Sequence, residues 1–156
     1  MIEVIKSPQP FTEETQWTVF LAGPMNGAPS WQAQALKVAE KLGIENLTLL
    51  NPRKTDRFVS PTYQVNWETF GLRMCDVILF CIPPQTREMK PNRVYAITTR
   101  MEMAENLARG HKVIIGLTLF LYKFQKNTCI FEFFPKCIYI ISVTFKNREK
   151  WKRKRH

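Results

Sequence analysis

The run Val77-Ile78-Leu79-Phe80-Cys81-Ile82, entered from Asp76 and stopped by Pro83-Pro84, decides the fold. Six apolar residues without alternation suit a strand covered on both faces, and the two prolines end it at once. Buried strands of this kind belong to parallel sheets, whose crossovers are helices. The flanking chain should therefore alternate strand and helix.

It does. Upstream, Trp17 to Ala22 is β-prone and stops at Gly23-Pro24, and Ser30 is an N-cap candidate for a helix. That helix carries Trp31, Ala35, Leu36, Ala39 and Leu42 at helical spacing until Gly43. Leu47 to Leu50 makes a second strand ended by Asn51-Pro52, Arg53 to Pro61 reads as a polar loop, and Val65 to Met74 as a helix. Downstream, Gln85 to Arg93 reads as a loop, Thr98 to Arg109 as a helix closed by Gly110, and Lys112 to Gly116 as a fourth strand. The expected architecture is an α/β parallel sheet with helices on both faces, and such sheets bind ligands at the carboxyl ends of their strands. Lys136 to Phe145 is a candidate fifth strand in an atypical C-terminal part.

The 156 residues suffice for one core, and 45% apolar with 23% charged residues is a globular composition. The most apolar region, Leu117 to Phe145, is broken by Lys123, Lys126, Glu132 and Lys136, so no membrane span is expected. Residues 1–16, with two prolines and no periodicity, read as a flexible leader, and no secretory signal is seen there. The expected location is the cytoplasm. Cys75, Cys81, Cys129 and Cys137 have no zinc-ligand spacing, and Cys75 and Cys81 read as reduced core thiols.

The net charge of +10 is uneven: residues 1–116 carry 13 Lys/Arg and 11 Asp/Glu, net +2, and residues 117–156 carry 10 and 2, net +8. All six glycines and all eight alanines lie at or before Gly116, whereas Phe, Ile, Lys, Asn and Tyr fill 21 of the last forty positions. That bias is the one produced by translating AT-rich DNA. Residues 17–117 are thus expected to be the α/β domain and residues 118–156 a divergent basic segment.

Both G-x-G-x-x-G and G-x-x-x-x-G-K-[ST] are absent, as is G-x-S-x-G, and no histidine is placed for a Ser-His-Asp triad. Carboxylates remain. Glu102 falls in the first turns of the helix near Thr98, at the carboxyl edge of the sheet, and Glu68 begins the helix leading to Asp76. Two acids brought together can divide the nucleophile and proton-donor roles. Read singly, an acid near a helix start serves the dipole, Asp76 serves a loop, and Trp31 and Trp67 serve packing.

Taken in order, Val19-Phe-Leu-Ala-Gly-Pro-Met25, Ser30-Trp-Gln32, Leu50-Asn-Pro-Arg53, Gln64-Val-Asn-Trp-Glu68, Cys75-Asp-Val-Ile-Leu-Phe80 and Thr98-Thr-Arg-Met-Glu-Met103, followed by Lys112-Val-Ile-Ile-Gly116, resemble nucleoside 2-deoxyribosyltransferase-like proteins. The resemblance covers about residues 17–117. It implies a flavodoxin-like (Rossmann-like) fold and cleavage of the N-glycosidic bond of a 2′-deoxynucleoside or its monophosphate. In that chemistry a glutamate, here Glu102, forms a deoxyribosyl-enzyme that passes its sugar to a base or to water. Glu68, eight positions before Asp76, would assist. Gly23, Pro24, Met25 and Asn26 would border the sugar, and Arg53, Asp76, Thr98 and Thr99 would complete the binding site. The glutamate at a helix N-terminus is expected to be ionised and ready to attack.

The resemblance also implies a small-molecule nucleoside or nucleotide substrate, no metal or organic cofactor, and a homo-oligomer if the C-terminus permits one. The chain departs from the family in Ala96, in Ala104 and in everything after Leu117. A catalytically inactive nucleotide-binding or interaction protein with a basic tail is the competing reading; nucleic acid is not the expected partner of the α/β part.

Overall fold

The computed structural model describes residues 2–11, 17–55, 59–118 and 138–143. Strands β1 (Ile2–Lys6), β2 (Trp17–Ala22), β3 (Leu47–Asn51), β4 (Val77–Ile82), β5 (Val113–Thr118) and β6 (Ile138–Val143) form one sheet in the order β1-β3-β2-β4-β5-β6. The first five are parallel, and β6 runs antiparallel along β5. Helices α1 (Trp31–Lys41), α2 (Pro61–Met74) and α3 (Ile97–Ala108) make the crossovers. The order β3-β2-β4-β5 reverses direction between β2 and β4, which is the flavodoxin-like arrangement.

Alternation along each strand builds two cores. Phe20, Ala22, Leu50, Ile78 and Phe80 pack on one face against Trp67 and Leu72 of α2 and Met103 and Leu107 of α3. Leu21, Leu49, Leu79 and Cys81 pack on the other against Trp31, Ala35, Leu36 and Ala39 of α1. β4 therefore contributes to both cores, as its unbroken apolar run requires. Gly71 permits the close seating of α2, since a Cβ there would lie 2.7 Å from the Phe20 ring. Cys75 and Cys81 are free thiols, and burial pushes them up to about 12 and about 11, so both are inert at neutral pH.

Two expectations differ from the structure. The segment read as a flexible leader supplies an edge strand, with Ile2 to Lys6 in register with Leu47 to Asn51 and Ile5 buried in the core. The chain that follows is also fastened: Phe11 stacks on Trp67 with ring centroids 4.8 Å apart, and Trp67 Nε1 donates to the Gln9 carbonyl at 2.8 Å. Four apolar or β-prone positions beside two prolines gave too short a pattern to separate a strand from a loop. Second, α2 begins at Pro61 rather than Val65. The Ser60 Oγ accepts from the Tyr63 N–H at 3.1 Å, and proline at the first helical position is pre-set for the helix.

The candidate strand within 136–145 does form, as β6, and it runs antiparallel to β5. Residues 12–16, Cys129, Cys137 and the basic stretch Lys146 to His156 lie outside the described residues. Among those described, no helix is long and apolar enough to cross a membrane.

Candidate active site

At the carboxyl edge of the sheet, between α2 and α3, a pocket encloses about 500 Å³. Glu68 enters it from the middle of α2 and Glu102 from the second turn of α3. Gly23, Pro24, Met25 and Asn26 line it from the loop after β2, and Thr98 and Thr99 from the start of α3. The fold thus gathers eight of the ten residues nominated from sequence. Gly23 is fixed by crowding, because a Cβ would sit 2.3 Å from the Cys81 carbonyl oxygen and 2.7 Å from the Trp31 ring.

Arg53 and Asp76 are not among the lining residues. Asp76 lies at the amino edge, where its Oδ2 accepts from the Thr18 N–H at 2.9 Å and the Thr18 hydroxyl at 3.0 Å, while its own N–H donates to the Thr18 carbonyl at 3.0 Å. It ties the start of β4 to the start of β2, a strand's length from the pocket. Arg53 leaves the right edge but turns toward α1, donating from Nε to Gln32 Oε1 at 2.8 Å. Sequence placed both residues near the site; their side-chain directions depend on contacts it does not display.

Sequence reasoning also missed a whole wall. Met89, Asn92, Arg93, Val94, Ala96 and Ile97 close the pocket on the α3 side. Ala96 adopts φ 54°, ψ 22°, a left-handed conformation unusual for a residue with a Cβ. Its surroundings hold it there. Arg100 donates from Nη2 to the Tyr95 carbonyl at 2.7 Å and from its backbone N–H to the Ala96 carbonyl at 3.0 Å, and the Tyr95 hydroxyl donates to the Pro83 carbonyl. The turn directs the first residues of α3 into the pocket. Pro91-Asn92 was the available hint of a turn here.

The electrostatics revise the expected state of Glu102. Burial, then the nearby charges of Glu68 and Glu105, push its carboxyl up to about 7, so at neutral pH it is roughly half protonated rather than firmly ionised. α3 has no acid in its first turn, and Glu102 sits too far along to gain much from the dipole. Glu68 is also raised by burial, but the Gln64 amide donates to its Oε1 at 2.5 Å and the Lys54 charge favours its anion. The Glu68 charge thus acts on Glu102 within one cavity, and the two acids are held differently.

A parallel α/β sheet with paired carboxylates in a pocket at its carboxyl edge defines the class: a scaffold suited to acid–base or nucleophilic work on a small molecule. Residues 16–119 match the family described as nucleoside 2-deoxyribosyltransferase like. That span is two thirds of the chain, and the chain belongs to this family. Among solved structures, a 2-desoxiribosyltransferase from Leishmania mexicana is similar at 21% identity with a TM-score of 0.48, over 67% of this chain and 66% of that one. No curated protein matches the chain.

Proposed function

We propose that the protein cleaves the N-glycosidic bond of a 2′-deoxynucleoside or its monophosphate, with Glu102 as nucleophile. The observation that carries this reading is the placement of Glu68 and Glu102 on facing helices around a single pocket. The Glu102 carboxylate attacks the anomeric carbon as the bond to the base breaks. The base leaves with the bonding electrons and takes a proton from Glu68, and a deoxyribosyl ester of Glu102 results. A second base or water then displaces Glu102 at that carbon, its proton returning to Glu68. A sugar without a 2-hydroxyl reaches its oxocarbenium-like transition state readily, so one nucleophile with modest acid assistance suffices.

The division of labour asks for the Glu102 anion and a proton on Glu68, whereas the Glu68 charge is itself one cause of the rise at Glu102. Attack needs the Glu102 anion, whose fraction grows as pH rises through about 7. Leaving-group protonation needs a carboxyl that holds its proton above the usual range; burial moves Glu68 in that direction, and the Gln64 amide and the Lys54 charge act against it. Family membership supports the reaction class, and residues 17–117 are the unit we assign to it.

The test is base release from deoxynucleosides and their monophosphates, with and without an acceptor base, in the full chain and in Glu102→Ala. Loss of both release and exchange in the variant is the expected result. Turnover unchanged by the substitution would overturn the assignment.

A further inference from the structure

On the other face of the same sheet edge lies a group of donors without a negative partner among the described residues. Among the described residues the Arg53 guanidinium has neutral acceptors alone: Gln32 Oε1 at 2.8 Å from Nε, and the Pro29 carbonyl at 3.4 Å from Nη2. Arg87 comes from the connection between β4 and α3. Its backbone N–H donates to the Gly27 carbonyl at 3.3 Å, two residues before Pro29, and its side chain is exposed. The Arg87 charge is near enough to add to burial in lowering the pKa of Arg53. No carboxylate among the described residues pairs with either guanidinium.

Gln32 supplies an independent sign. Its side chain is fully buried at 0% exposure, Arg53 occupies its Oε1, and its Nε2 has no acceptor. Arg53 fixes the amide's orientation, because turning it over would set two donors against each other, so Nε2 stays beside the guanidinium as an unused donor. The α1 N-terminus meets the same place, and Ser30 makes no side-chain cap to its first turn. Donors of one sign are held together here, and no anionic group among the described residues receives them.

We propose that a phosphate group binds between Arg53 and Arg87 at the start of α1, on the opposite face of the sheet edge from the residues lining the pocket of Glu68 and Glu102. Phosphate suits it better than carboxylate: its oxygens point in several directions and can meet two guanidinium forks and a helix start together. The loop from Gly23 to Pro29 lies between the two sites. Its first half lines the pocket, and its second half is bonded to Arg53 and Arg87 through Pro29 and Gly27. A phosphate bridging the arginines would brace that loop.

This site does not depend on the catalytic reading, and its test is a binding measurement. The full chain is titrated with inorganic phosphate by calorimetry and by amide chemical shifts, at fixed ionic strength with chloride as the control. Saturable binding is expected, weakened about tenfold by Arg87→Gln and by a comparable factor by Arg53→Lys, which keeps the charge but loses the fork. Arg87→Gln removes an exposed side chain and keeps the fold, so its result stands if the Arg53 variant fails to fold. Glu102→Gln should change phosphate affinity less than twofold.

Binding no better than chloride, equal affinity in Arg87→Gln, or an affinity that follows position 102 would each overturn the proposal. A second titration identifies the source of the group and supports the site either way. Displacement of phosphate by a deoxynucleoside monophosphate but not by the nucleoside makes it the substrate's own, and displacement by neither makes it a free anion.

Discussion

Asp76 and Glu102 are both acids beside the same sheet, at opposite edges, and they have opposite fates. Asp76 receives two hydrogen bonds from Thr18 and joins two strands. Glu102 has a neighbouring Glu68, a half-buried position and a carboxyl pushed up to about 7. The first is a charge whose needs are met by the fold, and the second is a charge whose needs are left open. Unmet need in a cavity is what suits a carboxylate to react with something that enters it.

The contrast can be broken by substitution, starting with the largest effect. Glu102→Ala should lower kcat for base release by at least about 10³-fold while leaving the thermal midpoint unchanged or raised, because it removes the proposed nucleophile and no structural bond. Calorimetry alongside kinetics checks both halves. Glu68→Gln should reduce kcat/KM on the order of 10²-fold. It should also move the acid limb of the pH profile down from about 7, since one of the charges opposing Glu102 ionisation is gone; a limb that stays in place would mean the two acids do not communicate.

Asp76→Ala should do the reverse of Glu102→Ala. Loss of two accepted bonds costs about 2–3 kcal/mol of stability in denaturant unfolding, with the pH profile of the remaining activity unmoved. The smallest effect concerns Glu102 itself as a burden on the fold. Its native pKa of about 7 lies above the 4.5 of the unstructured chain, so between those values the native state binds more protons than the unfolded one. Stability is then fully present below about 4.5 and declines as pH rises toward 7. Glu102→Gln should therefore stabilise the protein at pH 8 by roughly 2 kcal/mol after allowance for screening, and by almost nothing at pH 4.5.

What could be read in advance divides along physical lines. The unbroken run of β4 and the stops at Gly23-Pro24, Asn51-Pro52 and Pro83-Pro84 are local signals, and they sufficed for the parallel sheet and its carboxyl edge. That edge brought Glu102 and Glu68 into view as residues able to meet. Local signals failed wherever a partner elsewhere in the chain decides the outcome. β1 exists because β3 offers it an edge; Arg53 turns away because Gln32 waits by α1. The wall from Met89 to Ile97 stands because Tyr95 reaches Pro83 and Arg100 holds Ala96 in a conformation its side chain disfavours. The ionisation of Glu102 was misjudged for the same reason, since the dipole follows from position in a helix whereas desolvation follows from the assembled fold.

One feature of the assembled fold reaches further than its location suggests. The Ser7 hydroxyl donates to Gln64 Oε1 at 2.6 Å, and the Nε2 of that same amide donates both to the Pro52 carbonyl at 2.8 Å and to Glu68. One amide thus connects the first few residues of the chain to a carboxylate in the cavity, with Phe11 and Gln9 gripping Trp67 one residue away. Trimming the chain through Ser7 would remove one anchor of the Gln64 amide, and with it part of what holds that donor beside Glu68.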